Sequence, residues 1–196
     1  MSESKKPPAK KQLMQAFVEL LAEDPEATSA REIARERLAA GRRLEGLRRV
    51  RVFELSGELP ARAEVELLLH RSTRFYNPAK ERCALRAAER EPAPFAAAEA
   101  LVLVLDRGLE RRSAGERWWK HETGGKVEVR EGTVWALTFE PGEAADVRAG
   151  ELAELQDRQH GLFANPHFQD WRLGAGASPP WPWLERPRRR TKEERP

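Results

Sequence analysis

The stretch Val50-Arg51-Val52-Phe53-Glu54-Leu55-Ser56-Gly57 sets Val50, Val52 and Glu54 against Arg51, Phe53 and Leu55, then closes on a turn pair. Alternation of this kind marks a strand whose two faces meet different surroundings. Glu64 to Leu69 repeats the pattern, with Val65, Leu67 and Leu69 in phase, and predicts a second strand after a short loop containing Pro60. Leu101 to Leu105 is apolar throughout, as a strand covered on both sides must be. Residues 117–122, 126–130 and 133–139 read as a meander, with Gly124-Gly125 and Glu131-Gly132 as its hairpin turns. The sum is five or six strands, mostly antiparallel.

Helices frame this sheet in the sequence reading. Leu13, Phe17, Leu20 and Leu21 recur at helical spacing, which predicts a helix from Gln12 to Glu23 closed by Pro25. Ser29 and Glu32 fit a capping box for a second helix from Ala30 to Leu47. Such a helix would carry Arg31, Arg35, Arg42 and Arg49 on one side, and Ile33, Ala40, Leu44 and Leu47 on the other. Pro78 suits the first turn of a helix through Cys83, Leu85 and Ala88, after the second strand. Ala145 to Gln159 predicts a C-terminal helix with Val147, Leu152 and Leu155 inward. The expected fold class is α+β, with one domain over residues 12–173, a disordered basic tail over 1–11, and a disordered Pro/Trp/Arg-rich tail over 174–196. No internal repeat stands out.

Charge is unevenly placed. Of the 196 residues, 34% are charged and the formal net charge is +3. Residues 1–12 hold four Lys against one Glu, and residues 172–196 hold seven Lys or Arg against three Glu, so the part between is acidic. A uniformly basic nucleic-acid-binding body is not implied. The single cysteine, Cys83, allows no internal disulfide and points to a cytoplasmic location. The longest apolar run, Ala100 to Leu105, falls far short of the roughly 20 residues that span a bilayer, so no membrane is expected.

The densest chemistry lies in His70-Arg71-Ser72-Thr73-Arg74-Phe75-Tyr76-Asn77-Pro78-Ala79-Lys80-Glu81-Arg82-Cys83. Arg71, Arg74, Lys80 and Arg82 could present donors to an anion at a strand-to-helix junction, and Phe75 and Tyr76 offer flat surfaces for stacking. An anchored surface turn would carry similar residues. His70 and Cys83 could form an imidazole–thiolate pair, although a lone cysteine beside Leu85 more often serves as a small core residue. His160 and His167, with Asp157 and Asp170 near them, lack the tight ligand pairs of a zinc site, and no metal or cofactor is expected. Trp118 and Trp119 place one indole on each face of the expected strand, one of them packed. Trp181-Pro182-Trp183-Leu184, followed by Arg188, Arg189 and Arg190, reads either as a motif that docks on a protein partner or as a staple onto the body.

Three functions follow from this reading. The first is a non-catalytic protein that binds nucleic acid or a nucleoprotein through Arg71, Arg74, Tyr76, Lys80, Arg82 and the Arg31, Arg35, Arg42, Arg49 face. The second is an adaptor or accessory subunit that docks through Trp181 and Trp183. The third is a binder of, or enzyme acting on, a small phosphorylated ligand. Dispersal of the arginines would favour the second over the first.

Overall fold

The computed structural model describes residues 12–107, 114–176 and 178–184. Strand β1 (Gln12–Leu20) leads to helix α1 (Pro25–Arg37), a 3-10 turn (Ala39–Gly41) and the long strand β2 (Leu44–Gly57). Helix α2 (Arg62–His70) and strand β3 (Glu81–Arg86) follow. Then come β4 (Ala100–Asp106), α3 (Ala114–Thr123), β5 (Val127–Phe139), α4 (Ala145–Ala153) and β6 (Gln169–Ala175). The six strands form one antiparallel sheet in the order β3-β1-β2-β5-β4-β6, so the α+β class holds.

Several elements differ from the sequence reading, and each difference has a physical cause. Gln12 to Leu20 is a strand because both its faces are covered: Met14, Ala16 and Val18 enter one cluster and Phe17 another. Continuous burial hides the alternation, and the helical spacing of Leu13, Phe17 and Leu20 is accidental. Helix α1 begins earlier than Ser29, because Asp24 accepts the amides of Glu26 at 2.9 Å and Ala27 at 3.4 Å, and Pro25 takes the first helical position. It ends at Arg37, so Arg42 lies in a turn and Arg49 on β2; the expected four-arginine helix face does not form.

Residues 64–69 are helical, with Val65, Leu68 and Leu69 inward and Leu67 exposed. A run this short fits both periods, and packing decides between them. Residues 117–122 likewise belong to α3, which buries Trp119 and leaves Trp118 half-buried. The helix expected from Pro78 through Cys83, Leu85 and Ala88 does not form: Glu81–Arg86 is β3, paired with β1 along its length. Glu131-Gly132 does not turn: β5 passes straight through, and Gly132 is there because a Cβ would come within 2.8 Å of Leu105 and 2.9 Å of Leu103. Helix α4 ends at Ala153 rather than Gln159, with Leu152 buried and Val147 and Leu155 exposed.

The chain contains an internal structural duplication that the sequence conceals. Each half runs strand, helix, strand, helix, strand, and the sheet order reads the same from both edges. The pairing Met14 with Leu55 recurs as Ala100 with Leu137, and Gln15 with Arg86 recurs as Leu101 with Gly174. A pseudo-twofold axis therefore passes through the Arg51–Thr133 pair between β2 and β5. Both edge strands are preceded at the same spacing by Phe-x-Asn-Pro, as Phe75 to Pro78 and Phe163 to Pro166. Asn77 accepts the amide of Ala79 at 3.1 Å and Asn165 that of His167 at 3.0 Å. The amide of Asn77 is held by Glu81 at 2.6 Å, and that of Asn165 by Gln169 at 2.8 Å.

The two faces of the sheet are covered differently. One face carries all four helices in two clusters, one holding α2 and Trp119, the other α1 and α4. Among the described residues the opposite face meets no helix. Phe17, Val52, Leu103 and Ala136 there pack under Ala93 and Phe95 of the β3–β4 connection and under Trp183 and Leu184. The expected tail from residue 174 is corrected accordingly: Gly174 and Ala175 belong to β6, and Trp183 and Leu184 are core. The tails at 1–11 and 185–196 lie outside the described residues.

Candidate functional site

The segment from His70 to Cys83 is built as a structural junction. Ser72 accepts the amide of Phe75 at 3.0 Å through its carbonyl and that of Arg74 at 3.2 Å through its hydroxyl. Phe75 is fully buried, edge-on to Phe53, Trp118 and Trp119, so it offers no stacking surface. Tyr76 is half-buried and its hydroxyl lies 2.9 Å from Nδ1 of His70. Burial, with the nearby Cys83 and Glu66, raises the phenol above its ordinary pKa. The Cys83 thiol is pushed up to about 12, first by burial and then by Glu66, which removes the thiolate an imidazole pair would need.

The arginines singled out in the sequence are dispersed. Arg71 and Lys80 are exposed at the two ends of the junction, Arg35 is exposed on α1, and Arg42 in its turn. Arg74 pairs with Glu131 at 2.6 Å. Arg31, Arg49 and Arg82 do meet, with Arg48, around a cleft of about 240 Å³ at the C-terminal end of β1. Its carboxylates, however, already hold most of these cations. Arg82 and Arg48 each lie 2.8 Å from Glu19, and Arg49 lies 2.8 Å from Asp24 and 2.6 Å from Glu26. Arg48 is also bonded by Glu99 at 2.9 Å, which raises its pKa against the opposing effect of burial. Burial works to raise the pKa of Asp24, but hydrogen bonds from Arg49 and the α1 amides outweigh it and hold the carboxyl below its usual value. Arg31 is the cleft cation with no ion-pair partner among the described residues.

The histidines do not converge. His160 bonds Asp157 at 2.9 Å, and among the described residues no group of three His, Cys, Asp or Glu could hold a metal. No described helix is long and apolar enough to cross a membrane.

The most constructed polar arrangement was absent from the sequence reading. Gln15, Glu54 and Arg86 are buried side by side on the helix-free face, at 0%, 2% and 2% exposure. Gln15 donates to Glu54 at 2.7 Å and accepts from Arg86 at 3.0 Å. All three then turn to the main chain of residues 179–184. Glu54 accepts the amides of Trp183 at 2.5 Å and Leu184 at 3.0 Å. Arg86 donates to the carbonyl of Pro179 at 3.0 Å, and Gln15 to that of Pro180 at 3.2 Å. Arg86 further donates to the carbonyls of Glu91, at 2.7 Å, and Glu89, and stacks at 5.0 Å on Trp181. Desolvation lowers its pKa from the ordinary arginine value. Trp183, expected to reach a partner, is itself 1% exposed, and Trp181 is half-buried; Arg188, Arg189 and Arg190 lie outside the described residues. One signal of this site was legible: Glu54 falls in phase with Val50 and Val52, where an apolar residue belongs.

No protein family, curated protein or solved structure matches this chain.

Proposed function

We propose that this chain is a non-catalytic binding protein of the cytoplasm whose partner is another protein, an accessory subunit rather than a nucleic-acid binder. The observation that carries this reading is the commitment of Arg48, Arg49, Arg51, Arg74 and Arg82 to internal carboxylates. Phosphate binding draws its free energy from unpaired cations that release counterions, and these guanidinium groups would first have to give up their partners. The lone thiol supports the cytoplasmic location.

Filter binding with labelled single- and double-stranded oligonucleotides at about 50 mM salt, where counterion release favours association, tests the reading. No saturable retention is expected from the wild-type chain. Retention that falls steeply with salt overturns the proposal. Glu19→Gln with Glu99→Gln, which together release Arg48 and Arg82, should then create weak, salt-sensitive retention if internal pairing is what suppresses it.

A second reading rests on Arg31. An unpaired guanidinium in a cleft with three others suits a small phosphorylated ligand. Inorganic pyrophosphate should in that case raise the melting temperature, by an amount corresponding to about 2.7 kcal/mol at one hundred times its Kd. No shift at millimolar pyrophosphate removes this reading.

A further inference from the structure

The duplication supplies an internal control for the buried polar triad. Gln15, Glu54 and Arg86 of the first repeat correspond to Leu101, Ala136 and Gly174 of the second, as the matched strand registers show. On the same face of the same sheet, one repeat has ordinary core residues and the other a carboxylate, an amide and a guanidinium. Burying such groups costs several kcal/mol per ion unless every polar atom is matched. They are matched by one another, by the carbonyls of Glu89 and Glu91, and above all by the main chain of one short irregular segment. Two successive amides go to Glu54, and two successive carbonyls to Arg86 and Gln15.

Recognition of main-chain groups by fixed side chains, with a large aromatic in an apolar pocket between them, is how peptide grooves are built. The segment is also reached from both edges of the sheet. Arg172 of β6 donates to the carbonyl of Trp183 at 2.7 Å, and Gly174 of β6 leaves room for its ring, while Arg86 of β3 holds Pro179. The segment therefore bridges this face from β3 to β6. Trp183 Nε1 is buried with no hydrogen-bond partner among the described residues, so the occupant is held by its backbone and its ring face, and not by its indole N–H.

We propose that the helix-free face is a peptide-binding groove, occupied in cis by residues 178–184, that accepts a proline-flanked tryptophan segment of a protein partner when that strap opens. The proposal rests on the protein-binding reading above and deepens it by naming the ligand chemistry. Glu54 is the selective group: it requires two consecutive free amides, which excludes proline at the tryptophan position and the one after it.

Two measurements test it on the full-length chain. In native-state hydrogen exchange, the amides of Trp183 and Leu184 should exchange at least about tenfold faster than those of Val52 and Val134, and Glu54→Gln should speed the first pair by about tenfold more without moving the second. Equal rates for all four amides in wild type would show that the strap opens only with global unfolding, and would overturn the proposal. In the second measurement, a synthetic peptide of the 178–184 sequence is titrated into Trp183→Ala. Saturable binding is expected there, at least about tenfold weaker in wild type, where the cis strap competes, and weaker again in Trp183→Ala with Glu54→Gln. A folded Trp183→Ala chain that binds no peptide, or binds it regardless of Glu54, overturns the proposal; if that variant does not fold, the exchange rates of the wild-type chain decide. Retention of oligonucleotides would sink the protein-partner reading while leaving these exchange rates intact, so the two ideas fail separately.

Discussion

The two faces of this sheet show how differently a single six-stranded platform can be covered. On one face, α2 and α4 occupy equivalent positions: Val65, Leu68 and Leu69 of α2 sit where Ala149, Leu152 and Ala153 of α4 do in the other repeat. Helices satisfy their own backbone, so an apolar stripe is all that face needs. On the other face the cover is irregular chain, whose amides and carbonyls must be satisfied from outside. The first repeat meets that need with Gln15, Glu54 and Arg86. The lesson is that buried polar side chains here follow from the kind of backbone laid over them.

The sharpest way to break the comparison is to remove a polar anchor. Arg86→Met keeps much of the side-chain volume but leaves the Gln15 side-chain carbonyl and the carbonyls of Pro179, Glu89 and Glu91 without their donor, and the buried Glu54 carboxylate without its nearby positive charge; a loss of about 3–5 kcal/mol is expected in urea unfolding. A loss under about 1 kcal/mol would mean that the strap contributes little. Truncating Trp183 to Ala should cost about 3–5 kcal/mol as well, against about 2–5 for Leu152→Ala beneath α4. If Trp183→Ala proves far milder than Leu152→Ala, the helix-free face is a superficial cover and not a second core.

Overpacking tests the same face from the sheet side. Gly132→Ala drives a methyl into Leu103 and Leu105, and about 1–3 kcal/mol should be lost, with the m-value unchanged. The smallest effect belongs to the helix-covered side. Asp24→Asn keeps an N-cap but loses the ion pair with the half-buried Arg49, and should cost about 1 kcal/mol at pH 7. Because the folded-state pKa of Asp24 is depressed, its contribution is complete above the ordinary carboxylate pKa of about 4 and is lost as pH falls through the folded value. The wild-type and Asp24→Asn stabilities should therefore approach each other in acid, and curves that stay parallel from pH 7 to below 4 would contradict the pairing with Arg49.

How much was legible follows from local physics at particular residues. Val50 to Leu55 and Leu101 to Leu105 declare themselves as strands because their patterns exclude an amphipathic helix. Glu64 to Leu69 does not, since Val65, Leu68 and Leu69 fit a helix as well as Val65, Leu67 and Leu69 fit a strand. For Phe75 the sequence leaves two roles open, a stacking surface or an anchor under a turn, and burial decides for the anchor. The arginines' pairing is not legible because a sequence shows charges but not their distances, and Glu19, Asp24, Glu81 and Glu131 lie far from their partners along the chain.

By itself the sequence determined the class of this protein: alternating and continuous apolar runs commit the chain to a mostly antiparallel sheet with helices. Only the tertiary structure decided that the chain is two matched halves about an axis at Arg51 and Thr133, and that its tryptophan segment lies inside rather than outside. Both are outcomes of long-range pairing. Strand order depends on pairings between residues tens of positions apart and the burial of Trp183 on bonds to Glu54, 129 positions away, and local preference carries no record of either.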